Sequence, residues 1–114
     1  MQVKDSMQIE LQEEDTILIF HIKGNIEGPN TVLLSKKLEA MSESAFSTYV
    51  LDFSEVHNID SCGLGGLIYS QVLLERSEKR MVLLNPQGYV RRLFFDCRLE
   101  KVMKIVSTME ELET

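Results

Sequence analysis

Three short segments of the chain are almost continuously apolar, and each is followed by a stretch of helical periodicity or a helix start signal. They are rich in β-branched, aromatic and other large apolar side chains, and they span residues 16–22, 49–53 and 80–84. Runs of this length and composition are typical of strands buried on both faces of a sheet. Because strands that alternate with helices form βαβ units, we predict an α/β fold with a largely parallel sheet.

The N-terminal half adds an edge strand and a helix to this pattern. Apolar and polar residues alternate over 7–11, which predicts a half-exposed strand, and a polar turn at 13–15 makes it antiparallel to the next strand. Two glycines and a proline predict a loop over 23–30. From about Thr31 the period becomes helical, and one apolar stripe contains Leu34, Leu38, Met41 and Ala45.

The C-terminal half supplies the remaining elements. We predict a helix that starts at Ser61 or Cys62, and another that Asn85 caps. A short strand over 102–106 and a terminal helix after two capping-box patterns complete the chain. In the helix that follows Asn85, the side chains expected to point inward are those of Val90, Leu93, Phe94 and Cys97.

Length and charge limit the class of protein. The 114 residues are enough for one domain, residues 1–114, with a core that needs neither disulfides nor metal. Twelve basic and eighteen acidic residues give a net charge of −6, which argues against binding of nucleic acid or of an anionic membrane. The longest apolar run near the N-terminus covers only 17–20, too short for a signal peptide or a membrane span. We therefore expect a cytoplasmic protein.

The segment 50–68 carries the most specific pattern. An apolar strand leads through a short loop into Asp60-Ser61-Cys62-Gly63-Leu64-Gly65-Gly66 at a predicted helix start. Glycine inside a helix costs about 1 kcal/mol relative to alanine. Three glycines here therefore need compensation, which is either close packing of the helix on the sheet or the close approach of another molecule.

This order of motifs resembles the STAS family, in particular the stand-alone bacterial anti-sigma factor antagonists. The resemblance covers nearly the whole chain and rests on Asp60-Ser61-x-Gly63-Leu64-Gly65 at the helix start. The segment 24–27, the residues around Asn85-Pro86 and the C-terminal strand with its acidic ending also match. It implies a single STAS domain with a mixed, mostly parallel sheet, an antiparallel N-terminal edge strand and about four helices.

The resemblance also implies a function and a site. Ser61 corresponds to the regulatory phosphorylation site of the family, in a loop for partner binding formed by Glu27, Asp60, Ser61, Cys62 and Gly63. The unphosphorylated protein would bind an anti-sigma factor that is also a serine kinase, and so release the sigma factor. A serine phosphatase would reverse the phosphorylation. No catalytic activity, cofactor or metal is expected.

Two residues depart from the family pattern. Position 62 is usually Ser or Thr, whereas this chain has Cys62, which cannot serve as an alternative hydroxyl for phosphorylation. The loop aspartate of the family is replaced by Glu27, which keeps the charge on a longer side chain. We expect the two thiols, Cys62 and Cys97, to be buried and reduced, because they form no CxxC pair.

Other functions remain open from the residues alone. Ser61 could be only a helix cap, and the glycines at 63–66 could bind the phosphate of a nucleotide, although no complete GxGxxG or P-loop pattern is present. Cys62 at a helix start, with His57 nearby in sequence, could form a thiol enzyme or a redox sensor. His21 lies within an apolar strand, where a hydrogen-bonded structural imidazole is the more common role.

Overall fold

The computed structural model describes residues 7–113, and strands and helices alternate along most of them. In chain order the elements are β1 Met7–Glu14, β2 Ile17–Ile26, α1 Pro29–Ala40, β3 Thr48–Ile59, α2 Ser61–Arg76, β4 Arg80–Leu84, α3 Gly88–Asp96, a 3-10 turn Leu99–Lys101, β5 Lys104–Val106 and a final 3-10 helix Met109–Glu113.

The five strands form one mixed sheet in the order β1-β2-β3-β4-β5. β1 pairs antiparallel with β2, and every following pair of neighbours is parallel. The α/β fold with an antiparallel N-terminal edge strand is thereby confirmed. Three α-helices and two 3-10 segments correspond to the expected number of about four helices.

Both faces of the central strands are buried. On the helix side, β2 contributes Leu18 and Phe20, and β3 contributes Tyr49, Leu51 and Phe53. The opposite face forms a smaller cluster, which the last 3-10 helix covers in part; its buried members are Ile19, Val50, Val82, Leu84, Val106 and Leu112. Burial on both faces explains why the three predicted strands are almost continuously apolar.

β2 and β3 are longer than their apolar segments. The predicted loop over 23–30 is wrong in its first half, because Lys23 to Ile26 continue β2 and pair in parallel with the end of β3. Two register irregularities and the positive φ of Gly24, 116°, let the strand follow this path. Val56 and Ile59 are buried and hold the polar end of β3 in the sheet.

α1 also differs from its predicted range. It begins at Pro29 rather than near Thr31, directly after Gly28, whose φ is 50°. It ends at Ala40, so Ala45 is exposed and lies outside the helix that was predicted to include it. The turn after α1 is held by Lys79, whose ammonium donates to two backbone carbonyls within it, those of Ser44 and Phe46.

The start of α3 corrects another prediction. Asn85 does not cap this helix: its φ is 56°, and its backbone N–H donates to the carbonyl of Val106 at 2.7 Å. The helix begins at Gly88, after Gln87, whose side chain makes no capping bond. The connection to β5 therefore decides the conformation of Asn85. The last strand is shorter than predicted, Lys104–Val106, and the terminal helix is of the 3-10 type.

His21 connects three strands on the face opposite the helices. Its Nδ1 lies 2.7 Å from Oδ2 of Asp52 on β3, and its Nε2 lies 2.7 Å from Oε1 of Gln12 on β1. The imidazole therefore has a structural partner at each nitrogen. Burial raises the pKa of Asp52, but hydrogen bonds from Ser54 and His21 outweigh this effect and hold the pKa below its usual value.

Replacing Asp52 should make the protein less sensitive to acid. Because its pKa is lowered in the folded state, the carboxylate stabilises the fold above the unfolded-state pKa of about 4 and loses this effect as the pH falls through the folded value. Asp52→Asn should therefore unfold more easily at neutral pH, by about 1 kcal/mol. Below pH 4 its difference from wild type should shrink.

Urea unfolding followed by circular dichroism at a series of pH values measures this effect. Glu55→Gln is the matched control, because Glu55 is an exposed carboxylate on the same strand. An Asp52→Asn variant whose stability falls with acid as steeply as that of wild type would contradict the assigned role.

Candidate functional site

The predicted site lies where two parallel strands end side by side. Ile26 and Ile59 are register partners at the ends of β2 and β3. Glu27 and Asp60 follow them directly, so both carboxylates lie at the same edge of the sheet. The site is thus built by parallel pairing, which brings together two segments that are more than thirty residues apart in sequence.

Asp60 links three elements at this edge. It is the N-cap of α2, and its Oδ1 accepts the backbone N–H of Gly63 at 2.7 Å. Its Oδ2 accepts the N–H of Gly28 at 3.2 Å, in the turn between β2 and α1. One carboxylate therefore closes the start of α2 and attaches the neighbouring loop to it. The motif at the helix start predicts Asp60 in the site, but no local pattern indicates its bond to Gly28.

Ser61 and Cys62 occupy the first turn of α2, and both are exposed. The first N–H groups of a helix have no acceptor within it, and together with the helix dipole they favour an anion at this end. The hydroxyl of Ser61 is therefore open to a modifying enzyme at a position that accommodates an added negative charge. The predicted start of this helix is confirmed.

The carboxylate of Glu27 is bound by a partner on β3. Its Oε2 accepts a short hydrogen bond from the side-chain amide of Asn58. Its carbonyl accepts the N–H of Asn30 at 3.0 Å and so opens the first turn of α1. Sequence reasoning missed Asn58. Alignment of the two polar strand ends would have found it, since Asn58 pairs in register with Asn25.

The three glycines of α2 have two different roles. A Cβ atom at Gly63 would lie 2.7 Å from Cγ1 of Ile59 and closer still to the carbonyl oxygen of Ile26. A Cβ at Gly66 would lie 2.5 Å from Cγ2 of Thr31 on α1. These two glycines therefore let α2 approach the sheet and α1. Gly65 has open space around it and is exposed.

This packing bears on the nucleotide alternative. The space beside Gly63 and Gly66 is filled by atoms of the chain itself, so these glycines are explained without a phosphate. A separate depression of about 320 Å³ lies on the surface beside the site and is lined by Glu27, Gly28, Pro29 and Asn30. It carries a carboxylate and no basic side chain, which makes it unfavourable for a phosphate group.

The expectation that both thiols are buried is wrong. Cys62 and Cys97 are free and exposed. Cys62 follows the N1 residue of α2, whose buried side is formed by Gly63, Leu67 and residues further along the helix. Cys97 was predicted to point inward, but α3 ends at Asp96 and Cys97 is its C-cap. Its side chain is exposed although its N–H still donates to the carbonyl of Leu93 at 3.0 Å.

The exposed side of α2 continues the site as an apolar surface. Ile68, Tyr69 and Val72 are 41–59% exposed and lie on the helix that Ser61 begins. Large apolar side chains grouped on one exposed helix are typical of a surface that binds a protein partner. Ser61 and this apolar surface therefore lie on one element.

Other kinds of site find little support in the described part of the chain. No group of three or more His, Cys, Asp or Glu residues within 7–113 is placed to hold a metal ion. Over the same range no helix has the length and hydropathy needed to cross a bilayer. His57 is exposed on β3, as expected of a surface residue.

A comparison with known protein families decides the identity of the fold. The STAS domain family matches residues 8–112, nearly the entire chain. This protein belongs to the STAS family. The resemblance seen in the order of its motifs is thereby confirmed.

Solved structures of STAS proteins have the same fold. An anti-sigma factor antagonist from Mycobacterium paratuberculosis is 20% identical, with a TM-score of 0.82 over 94% of this chain and 91% of that one. The Bacillus cell fate determinant SpoIIAA in its phosphorylated form is 22% identical, with a TM-score of 0.70 over 92% and 96%. The anti-sigma factor antagonist SpoIIAA in its unphosphorylated form is 20% identical, with a TM-score of 0.71 over 95% and 94%.

Alanine at the three glycines should separate their roles in this STAS domain. Gly63→Ala and Gly66→Ala should each destabilise the fold by about 1–3 kcal/mol. The added methyl group would overlap with atoms of Ile26 and Ile59 at position 63, and with Thr31 at position 66. Gly65→Ala should stabilise it by up to about 1 kcal/mol, since its surroundings are open and alanine favours the helix. Urea unfolding of the three variants measures these changes. Equal effects at all three positions would contradict the packing role.

Proposed function

We propose that this protein is an anti-sigma factor antagonist whose partner binding is switched off by phosphorylation of Ser61. The observation that carries the proposal is the exposed hydroxyl of Ser61 in the first turn of α2, next to the capping carboxylate of Asp60. The structural likeness to anti-sigma factor antagonists supports the same role.

A phosphate at Ser61 would change the surface without disturbing the fold. The nearby carboxylates already have donors: Asp60 accepts from Gly63 and Gly28, and Glu27 accepts from Asn58. A phosphate on the exposed hydroxyl needs none of these bonds, and the helix N-terminus favours its charge. Repulsion from Asp60 acts in the opposite direction. Phosphorylation therefore adds negative charge to the exposed surface of the domain, and a partner that binds there would have to bury this charge.

The proposed cycle needs two enzymes and one sigma factor. The unphosphorylated protein binds an anti-sigma factor that is also a serine kinase, and the sigma factor is released. The kinase transfers phosphate from ATP to Ser61 and so dissociates the complex, and a serine phosphatase restores the unphosphorylated form. In this cycle the protein is a cytoplasmic binding module without catalysis, cofactor, nucleic acid or membrane. The exposed apolar residues of α2 offer the partner a contact surface.

Phosphorylation of Ser61 should weaken partner binding by roughly 100-fold or more. A phosphate adds about −1.5 to −2 charge, and burying an unpaired charge costs several kcal/mol, of which each 1.4 kcal/mol is a factor of ten in affinity. The partner is isolated by affinity capture with unphosphorylated protein and sequenced. Calorimetric titration of purified partner with both forms then measures the difference. Equal affinities would show that Ser61 is not the switch.

Variants of Ser61 provide the controls. Ser61→Ala should bind like wild type and remain bound when ATP is present, because it cannot be phosphorylated. Ser61→Asp should weaken binding less than phosphorylation does, since it carries less charge and volume. Mass spectrometry should locate a single phosphate on Ser61. A phosphate on Ser54 instead, which is exposed on β3, would contradict the assignment.

A second candidate function rests on the exposure of Cys62. Its thiol lies in the same first turn of α2 as Ser61 and is accessible to oxidants and alkylating reagents. If Cys62 only replaces a hydroxyl, Cys62→Ser should have the stability of wild type and should still be phosphorylated. Its affinity for the partner should stay within about twofold of the wild-type value. Cys97→Ser is the matched control, because it removes the other exposed thiol. If Cys62→Ser loses partner binding while Cys97→Ser keeps it, and the stability of both variants is unchanged, the result would favour a redox sensor or thiol enzyme.

A further inference from the structure

Basic charge is concentrated near the C-terminal end of this acidic chain. Residues 88–104 contain five basic and two acidic side chains, although the whole chain has twelve and eighteen. α3 packs inward through Val90 and Phe94, the latter edge-to-face on Phe53. Its outer side is exposed and forms what we name the basic face, which consists of Tyr89, Arg91, Arg92 and Phe95.

The composition of the basic face is that of a protein interface. Tyr89 is 58% exposed and Phe95 is 41% exposed, and aromatic residues with arginine are the types enriched at binding hot spots. The guanidinium carbon of Arg91 lies 5.3 Å from the centroid of the Phe95 ring. This contact orients the guanidinium and leaves its N–H groups available to carboxylates.

A complementary surface lies on β1. This strand contains three glutamates and no basic residue, and it lies at one end of the sheet, where it pairs with β2. We name as the acidic edge its exposed residues Glu10, Leu11, Glu13 and Glu14. Because side chains alternate along a strand, Glu10 and Glu14 lie on one face, and Glu13 and Leu11, which is 42% exposed, lie on the other, so the free edge has carboxylates on both sides. Over 7–113, neither these glutamates nor the arginines of the basic face take part in a salt bridge.

We propose that a second copy of this chain docks its acidic edge on the basic face, independently of the switch at Ser61. The arginines then pair with the glutamates, and Leu11 packs on Tyr89 or Phe95. Because the two surfaces differ, a docked pair still offers one free basic face and one free acidic edge, and the assembly grows head to tail. The net charge of −6 opposes association and keeps it weak. The net charge also repels nucleic acid and anionic lipid over long range. The attraction between the basic face and β1 of a second copy acts only at short range, where salt screens it less.

Sedimentation velocity of the full chain over a wide concentration range tests the proposal. The average mass should rise continuously above the monomer mass of 13.1 kDa and should not level off at the dimer. Raising the salt from about 0.1 M to about 1 M shortens the Debye length from about 10 Å to about 3 Å and should reduce the association.

Charge reversal on one surface at a time gives the decisive comparison. Arg91→Glu with Arg92→Glu, or Glu13→Lys with Glu14→Lys, should each lower the association constant roughly tenfold or more. An equimolar mixture of the two double variants should regain association, because the unchanged acidic edge of one pairs with the unchanged basic face of the other and the two reversed surfaces are again opposite in charge. Arg76→Glu with Arg80→Glu is the matched control, since both arginines are exposed outside the basic face.

Three results would overturn the proposal. They are a monomer at all concentrations, a closed dimer that both double variants preserve, and a mixture of the double variants that stays monomeric. Binding of wild type to anionic vesicles or to single-stranded DNA, with the protein remaining monomeric, would also overturn it and assign the basic face to another anionic partner. Circular dichroism of each variant verifies that the fold is retained, and these surface side chains are exposed enough for that result to be expected.

Discussion

The carboxylate of Asp60 is the interaction on which the rest of the site depends. Its two oxygens accept N–H groups from Gly63 and Gly28, and so it joins the end of β3, the first turn of α2 and the loop before α1. Without it, the N-terminal turn of α2 would lose a capping bond, and the loop that carries Glu27 would lose its attachment. The position of Ser61 follows from this arrangement, because it is the first helical residue after the cap.

Close packing at two glycines makes that arrangement possible. α2 approaches the carbonyl of Ile26 and the side chain of Thr31 at distances that leave no room for a Cβ. The cost of glycine inside a helix is therefore offset by contact with β2 and α1. One side of α2 is buried against the sheet and α1, and the opposite side carries Ser61, Cys62 and exposed apolar residues. The two sides of α2 are therefore separate, one buried by packing and the other accessible.

Most of the architecture could be predicted from periodicity. The apolar strands, the helix that starts at Ser61 and the antiparallel edge strand were all found, because each has its own local pattern. Two of the predictions that failed concern polar residues placed by distant contacts. Asn85 takes its conformation from a bond to Val106, and the first half of the loop predicted over 23–30 extends β2 because β3 pairs with it. Cys97 is the C-cap of α3 and is exposed.

The sequence by itself determined the order of the strands and helices, though not all of their bounds, and placed Ser61 at a helix start beside a capping aspartate. These properties depend on neighbours within one or two turns, so they are visible in a single segment. Only the tertiary structure decided that Asn58 binds Glu27, that Asp60 reaches Gly28, and that the thiol of Cys62 is exposed. Those contacts join residues about thirty positions apart, or depend on which side of a helix the sheet covers. Parallel pairing of β2 with β3 brings these distant residues to the same edge of the sheet.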